Sequence, residues 1–306
     1  MKDHLERVGD SDKEAIEAQK IGMSASKVIL VVDSGSTKSD WLFLSQGEVL
    51  ADLHLGGMNP YFRTATDTQG EILSILPERL RAIPLRSLYF YGAGCTSAKI
   101  DSVRAMLQAC FKVEDITVCS DMLGAARALC GHERGVACIL GTGSASCLYD
   151  GERIAHSIPS LGYILGDEGS GASLGRLLLG EVFKNRLPVG IKESFVERFG
   201  MDEGDVEERV YRQPLPNRFL ARVSTFLSEH ISETWAHDLL FQEFRRFFVR
   251  CVKPYNQASD VAFAGSIAWF YRDILSEVAE GEGIRLGKII RRPIEGLLKY
   301  HVPETY

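Results

Sequence analysis

Two short turns in this sequence are built from residue types that bind phosphate. Asp33-Ser34-Gly35-Ser36-Thr37-Lys38 and, roughly a hundred residues later, Gly141-Thr142-Gly143-Ser144 both combine glycine with hydroxyl side chains. Glycine lets the backbone approach an anion, and successive N–H groups with Ser and Thr hydroxyls can then cradle phosphate oxygens. Neither turn is a P-loop, because no G-x-x-x-x-G-K-[ST] occurs and each leads into a strand pattern, not a helix. Small polar residues also close ordinary hairpins, and for one turn alone that reading is as good. Matching positions in two places favour an anion clamp.

Carboxylates stand near both turns. Asp33 closes an otherwise apolar strand pattern, so its side chain emerges at the strand's end. Magnesium takes one or two carboxylates with waters and phosphate oxygens, which suits that place; an Asp that only closes its own turn is the alternative. Asp121 stands between a strand pattern at 116–120 and a helix pattern from 122, a position equally good for a helix cap and for a cleft-facing base. Leu165-Gly-Asp-Glu-Gly-Ser-Gly-Ala172 sets Asp167 and Glu168 among glycines ahead of an apolar helix. This spacing implies close backbone approach to a ligand, or else an Asp167 or Ser170 cap with glycines packing between helices. Asn59, in Gly56-Gly-Met-Asn-Pro60, could hydrogen-bond a polyol or amide, although Asn-Pro by itself is a turn signal.

Positioning these residues takes a strand before each turn and a hairpin after it. The first copy has an apolar run at 28–33, a second at 41–44, a Gln46-Gly47 turn and a strand at 48–51. The second copy has 136–140, 146–149, an Asp150-Gly151 turn and 152–155. Apolar periodicity then predicts a helix near 67–79, strand 88–91, helix 98–111, strand 116–119 and helix 122–130. After the second hairpin it predicts a helix near 168–184, a helical stretch over 204–251, strand 261–264, helix 267–280, strand 285–290 and helix 294–300. Both halves read β-β-β-α-β-α-β-α, which implies mixed sheets covered by helices with a cleft between two units.

The chain has 306 residues, enough for two separate cores, and its 45% apolar and 25% charged content is ordinary for a globular protein. A net charge of −6 argues against nucleic acid or an acidic membrane as the main partner. No apolar run approaches the roughly 18 residues of a membrane span, and the charged N-terminus lacks an apolar signal core. Residues 1–26 read as a disordered or poorly ordered leader. Seven cysteines with no C-x-x-C pair fit a reduced, cytoplasmic compartment, and seven scattered histidines give no zinc-ligand pattern.

Taken together, Asp33-Ser-Gly-Ser-Thr-Lys, Met58-Asn-Pro, Ser120-Asp121, Gly141-Thr-Gly-Ser and Gly166-Asp-Glu-Gly-Ser resemble the acetate and sugar kinase, Hsc70 and actin superfamily. Within it, the chain is similar to the N-acetylglucosamine kinase and BadF/BadG-type ATPase branch over about 27–302. The resemblance implies an α/β fold of two duplicated RNase H-like βββαβαβα domains with an ATP and substrate cleft between them. It implies domains at 27–134 and 135–306, a helical insertion near 185–255, and a last helix at about 291–306 that packs back on the first domain. By motif, Gly35, Ser36, Thr37 and Lys38 with Gly141, Thr142, Gly143 and Ser144 would bind ATP phosphates. Gly265 and Ser266, in Ala264-Gly-Ser-Ile-Ala268, would meet the adenosine. Asn59, Asp121, Gly162 and Asp167 would hold the sugar, Asp121 would be the base, and Mg2+ would sit near Asp33 through water.

The implied activity is ATP-dependent phosphorylation of an N-acetylated amino sugar at its 6-hydroxyl, by a cytoplasmic protein that works as a homodimer. Ala145 stands where many relatives have Asn, and Leu161 where the animal kinases have Trp, which leaves the identity of the sugar open. Two other readings share the fold. One is an ATPase that activates a partner redox enzyme through an iron–sulfur cluster, with Cys95 as its cysteine. The other is a non-catalytic sugar sensor, for which no helix-turn-helix module is evident.

Overall fold

The apolar run Val28–Ser34 becomes β1, the middle strand of a five-stranded sheet. The computed structural model describes residues 28–256 and 260–302; the leader expected at 1–26 and the tail 303–306 lie outside the described residues. β1 pairs antiparallel with β2 (Lys38–Ser45), which pairs antiparallel with β3 (Glu48–Gly56). On its other side β1 runs parallel to β4 (Leu85–Gly92), and β4 parallel to β5 (Val113–Ser120). The order is β3-β2-β1-β4-β5.

The second sheet repeats this arrangement. Its strands are β6 (Gly135–Leu140), β7 (Ser144–Tyr149), β8 (Ile154–Ile158), β9 (Val261–Ala264) and β10 (Leu286–Ile290), ordered β10-β9-β6-β7-β8. Strand for strand β6 takes the place of β1, antiparallel to β7 and parallel to β9. Strands covered on both faces carry unbroken apolar runs, not alternating ones, which is how β1 and β6 read in the sequence. The first hairpin turns at Gln46 and Gly47, both at positive φ (53° and 86°), as the twist of a tight hairpin demands.

Helices fill the expected places with three differences. The predicted 67–79 helix divides into Ala65–Ile75 and Glu78–Arg81, because Pro77 has no N–H and forces Leu76 into an extended conformation. The predicted 267–280 helix divides at Tyr271 into Ser266–Phe270 and Arg272–Gly281. The helical segment between β8 and β9 includes Ile191–Phe199, ahead of the stretch predicted from 204. That segment is held by buried aromatics, among them Phe195, Phe226, Phe244, Phe247 and Phe248, packed with Phe263 of β9.

The last helix, Pro293–His301, returns to the first sheet. Ile294 and Leu297 are buried with Val31, Leu42, Leu44 and Tyr91, and with Ala128 of the Asp121–Cys130 helix. Gly296 passes so near that helix that a Cβ would stand 2.4 Å from the Ala128 carbonyl oxygen. His301 stacks on Tyr89 at 3.7 Å and lies 2.8 Å from the Tyr91 hydroxyl, which accepts from Arg127 Nη1 at 2.9 Å. Burial, and then the Arg127 charge, lower the His301 pKa to about 4. The unfolded chain therefore takes up a proton between about pH 6.5 and 4 that the folded chain refuses. Stability from this group is full above that window and is lost as pH falls through it, by up to about 3 kcal/mol. Urea unfolding at pH 7.5 and pH 5 should show a larger acid loss for the wild type than for His301→Phe.

Candidate active site

Both phosphate-type turns sit where a central strand hands over to its hairpin partner. In the first, Gly35 N–H donates to the Lys38 carbonyl at 2.9 Å. The segment after β3 buttresses it: Gly57 N–H donates to Thr37 O at 3.0 Å and Met58 N–H to Ser34 Oγ at 3.0 Å. In the second, Gly141 N–H donates to the Gly143 carbonyl at 3.0 Å. The Gly171–Phe183 helix supports this turn, with Gly171 and Ala172 N–H groups donating to the Gly141 and Thr142 carbonyls at 2.8 and 3.0 Å. The turns meet directly, Thr37 Oγ1 lying 3.1 Å from Thr142 Oγ1.

Carboxylates gather at the same end of the first sheet. The half-buried Asp33 carboxyl has its pKa pushed up to about 7, first by burial, then by Asp40 and Asp121, with Lys38 and Arg292 pulling the other way. Burial raises Asp121 to about 6 against the lowering hydrogen bond from Met122 N–H, 2.9 Å from its Oδ1. Of the two roles open to Asp121, the cap belongs to its neighbour. Ser120 Oγ accepts the Leu123 N–H and is the N-cap of the Asp121–Cys130 helix. Asn59 is buried, donates from Nδ2 to Ser36 Oγ at 3.3 Å, and accepts the Tyr61 N–H at 3.0 Å.

Asp167 joins the second turn: its Oδ1 accepts the Ser144 N–H at 3.1 Å, and its carboxylate lies against Gly143. Its φ of 53° and that of Gly169 at 72° shape the loop. Glu243, also buried, fixes it by accepting Gly169 N–H at 3.0 Å and the Ser173 hydroxyl at 2.6 Å. Gly162 opens the turn Gly162–Leu165, closed by Gly166 N–H on the Gly162 carbonyl at 2.8 Å and tied to the Asp167 loop by Asp167 N–H on the Ser160 carbonyl at 3.0 Å, with Leu161 exposed.

One cavity of about 370 Å³ joins Thr37, Gly141 and Thr142 to Ser266, Ile267 and Tyr271. Gly265, just before Ser266, is obligatory, since its φ is +114° and a Cβ would stand 2.3 Å from the Leu140 carbonyl oxygen. A cavity of about 490 Å³ beside Met58, Tyr61 and Lys99 is larger, but neither turn lines it.

No protein-family model matches the chain, and no curated protein matches it. Among solved structures, a Porphyromonas gingivalis protein described as a candidate N-acetylglucosamine kinase is 44% identical, with a TM-score of 0.86, over 89% of this chain and 98% of that one. This chain belongs to the N-acetylglucosamine kinase family. A Chromobacterium violaceum protein with the same description, 19% identical, superposes with a TM-score of 0.72 over 90% of this chain and 99% of that one. A Streptomyces griseus glucokinase of the ROK family, solved with glucose and AMPPNP, shares the fold at 12% identity and a TM-score of 0.54, over 89% and 97% of the two chains.

The family resemblance had singled out residues by motif, and three contributors to this site carry none. Arg218 reaches in from the Pro216–Val223 helix, its Nη2 donating to the Ser36 carbonyl. Glu243 and Arg292 secure the loop and the carboxylates from distant segments. Gly57 is where the first turn is most tightly packed: a Cβ would stand 2.5 Å from both the Gly35 oxygen and the Ser36 carbonyl carbon. Gly57→Ala should therefore cost about 1–3 kcal/mol in urea unfolding. Gly70→Ala, in open space on a helix, should be neutral or stabilising by the same measurement.

Proposed function

We propose that this chain is an ATP-dependent sugar kinase acting on an N-acetylated amino sugar of the N-acetylglucosamine type, at the 6-hydroxyl. The observation that carries the reading is the junction of the two turns, Thr37 to Thr142, with Asp121 near enough to Asp33 to raise its pKa. Family membership with the Porphyromonas gingivalis protein supports the substrate class. The working parts are units at 27–134 and 135–306 closing on the nucleotide, in a cytoplasmic homodimer whose size light scattering would check.

Asp121 accepts the hydroxyl proton as the sugar oxygen bonds to the γ-phosphorus. The bond from that phosphorus to the β,γ-bridging oxygen breaks, and ADP leaves. A carboxyl held at about pKa 6 is mostly ionised at neutral pH yet basic enough to take a proton. The Thr37 and Thr142 hydroxyls orient the phosphates with Gly35, Ser36, Lys38, Gly141, Gly143 and Ser144, while Gly265 and Ser266 form the adenosine end. Asn59, Gly162 and Asp167 hold the sugar beside Asp121. The carboxylates crowding Asp33 fit a divalent cation, which takes few carboxylates together with water and phosphate oxygens. Magnesium bound there supplies charge neutralisation for the transferred phosphoryl group.

The redox-activator reading has the weaker footing. Cys95 is buried, and burial, Asp121 and Cys119 push its thiol up to about 12, the reverse of what a cluster thiolate needs.

Coupled detection of ADP across a panel of amino sugars, with mass spectrometry of the product, tests the substrate and the hydroxyl; no sugar-stimulated ADP release from any of them ends the proposal. Asp121→Asn should lower kcat by about 10²–10⁴-fold without a matching fall in melting temperature. Because the base must be ionised, kcat/KM should fall as pH drops through about 6.

A further inference from the structure

The kinase reading leaves one half-buried charge without a task. Arg218 lines the cavity shared by Thr37, Gly141, Thr142 and Ser266. Its Nη2 donates to the carbonyl of Ser36, 182 positions away in the opposite turn. Its Nε is buried with no hydrogen-bond partner among the described residues. Burial, and then the like charge of Arg63, push its pKa down. Arg63 has its own acid in Glu71. Arg218 is thus a guanidinium turned toward the phosphate turns, with a neutral carbonyl as its recorded acceptor.

We propose that Arg218 contacts the substrate in the phosphoryl transfer, giving its planar fork to oxygens of the nucleotide's γ-phosphate in place of the Ser36 carbonyl. The proposal rests on the kinase reading above. A guanidinium matches two phosphate oxygens at once, and the charge-assisted pair is stronger than a bond to a neutral carbonyl. A half-buried guanidinium whose Nε is buried and unpartnered has lost hydration without gaining an anion, and an arriving phosphate offsets that loss. The turns themselves bring hydroxyls and backbone groups, and the field of Lys38 falls on Asp33. Arg218, with Arg222 also on the wall, adds positive charge to a cavity whose one turn cation, Lys38, bears on Asp33.

The γ-position follows from what Arg218 touches. Its present acceptor is the carbonyl of Ser36, whose hydroxyl accepts from Asn59. Asn59 belongs to the sugar side of the proposed site, so the phosphate nearest Arg218 is the one transferred.

Arg218→Gln and Arg218→Lys decide the matter, through calorimetric titration with Mg2+ and either ADP or AMPPNP, the coupled assay, and a thermal melt. Arg218→Gln should lose on the order of 10²-fold or more in kcat. It should weaken AMPPNP far more than ADP and keep its melting temperature, and Arg218→Lys should recover only part of the loss. Equal weakening of both nucleotides, or an unchanged kcat, overturns the proposal. So does a loss that follows a lowered melting temperature and is fully restored by lysine, which would make Arg218 only a latch between the turns. A wild type that binds neither nucleotide overturns this proposal and the kinase reading together. A wild type that binds both but phosphorylates no sugar ends the substrate assignment alone, and the ratio of AMPPNP to ADP affinity in Arg218→Gln still decides Arg218.

Discussion

Asp33 and Asp40 face one another across the β1–β2 ladder, and Asp121 bears on Asp33 from the head of its helix. Asp40 is only 2% exposed, and a carboxylate so deep is tolerated only if it is paired. Its partners come from elsewhere: His54 Nδ1 at 2.6 Å and Arg292 Nη2 at 3.4 Å. Arg292 follows β10 of the second sheet and also grips Asp52 of β3, at 2.8 and 3.1 Å. The cluster at the end of β1 is therefore held together by a residue more than two hundred positions downstream. This contact also ties the ends of the two sheets to one another, since the Pro293–His301 helix that follows Arg292 packs on the first sheet.

The two sheets have the same strand order, yet their chemistry differs, and the difference lies in what stands behind each turn. Behind the first turn is the segment after β3, which contributes Gly57, Met58 and Asn59. Behind the second is the start of the Gly171–Phe183 helix, whose first N–H groups are spent on the Gly141 and Thr142 carbonyls. That helix N-terminus cannot serve phosphate while it holds the turn. Asp33 at the end of β1 has no acidic counterpart at the end of β6, where Ile139 and Leu140 stand. The two similar turns are thus backed differently: Asp33 stands in the strand before the first, while Asp167 reaches the second from a later loop.

Much of this was legible in the residues. Unbroken apolar runs marked β1 and β6 because central strands are buried on both faces, and Gln46-Gly47 marked the hairpin because its turn needs positive φ. Both turns were visible through glycine and hydroxyl composition, and the repeat of order gave the two-sheet plan. The role of Asp121 could not be settled from its position, since Ser120 and Asp121 are both good caps; only the bond from Leu123 N–H to Ser120 Oγ distinguishes them. Arg218, Glu243 and Arg292 lie in segments without motifs, and their meaning depends wholly on tertiary neighbours. Local sequence carries no trace of a partner 182 positions away.

The contacts that join the turns are made by groups a phosphate would also use. Thr37 and Thr142 share a hydrogen bond at 3.1 Å, and Arg218 donates to a neutral carbonyl. A phosphate oxygen is a stronger acceptor than either a hydroxyl or a carbonyl, above all for a guanidinium. It would take over these donors without requiring new ones. The energy of holding the turns together would then pass into holding a phosphate between them. Such an exchange gives the two hydroxyls and the Arg218 Nη2 an acceptor in either state.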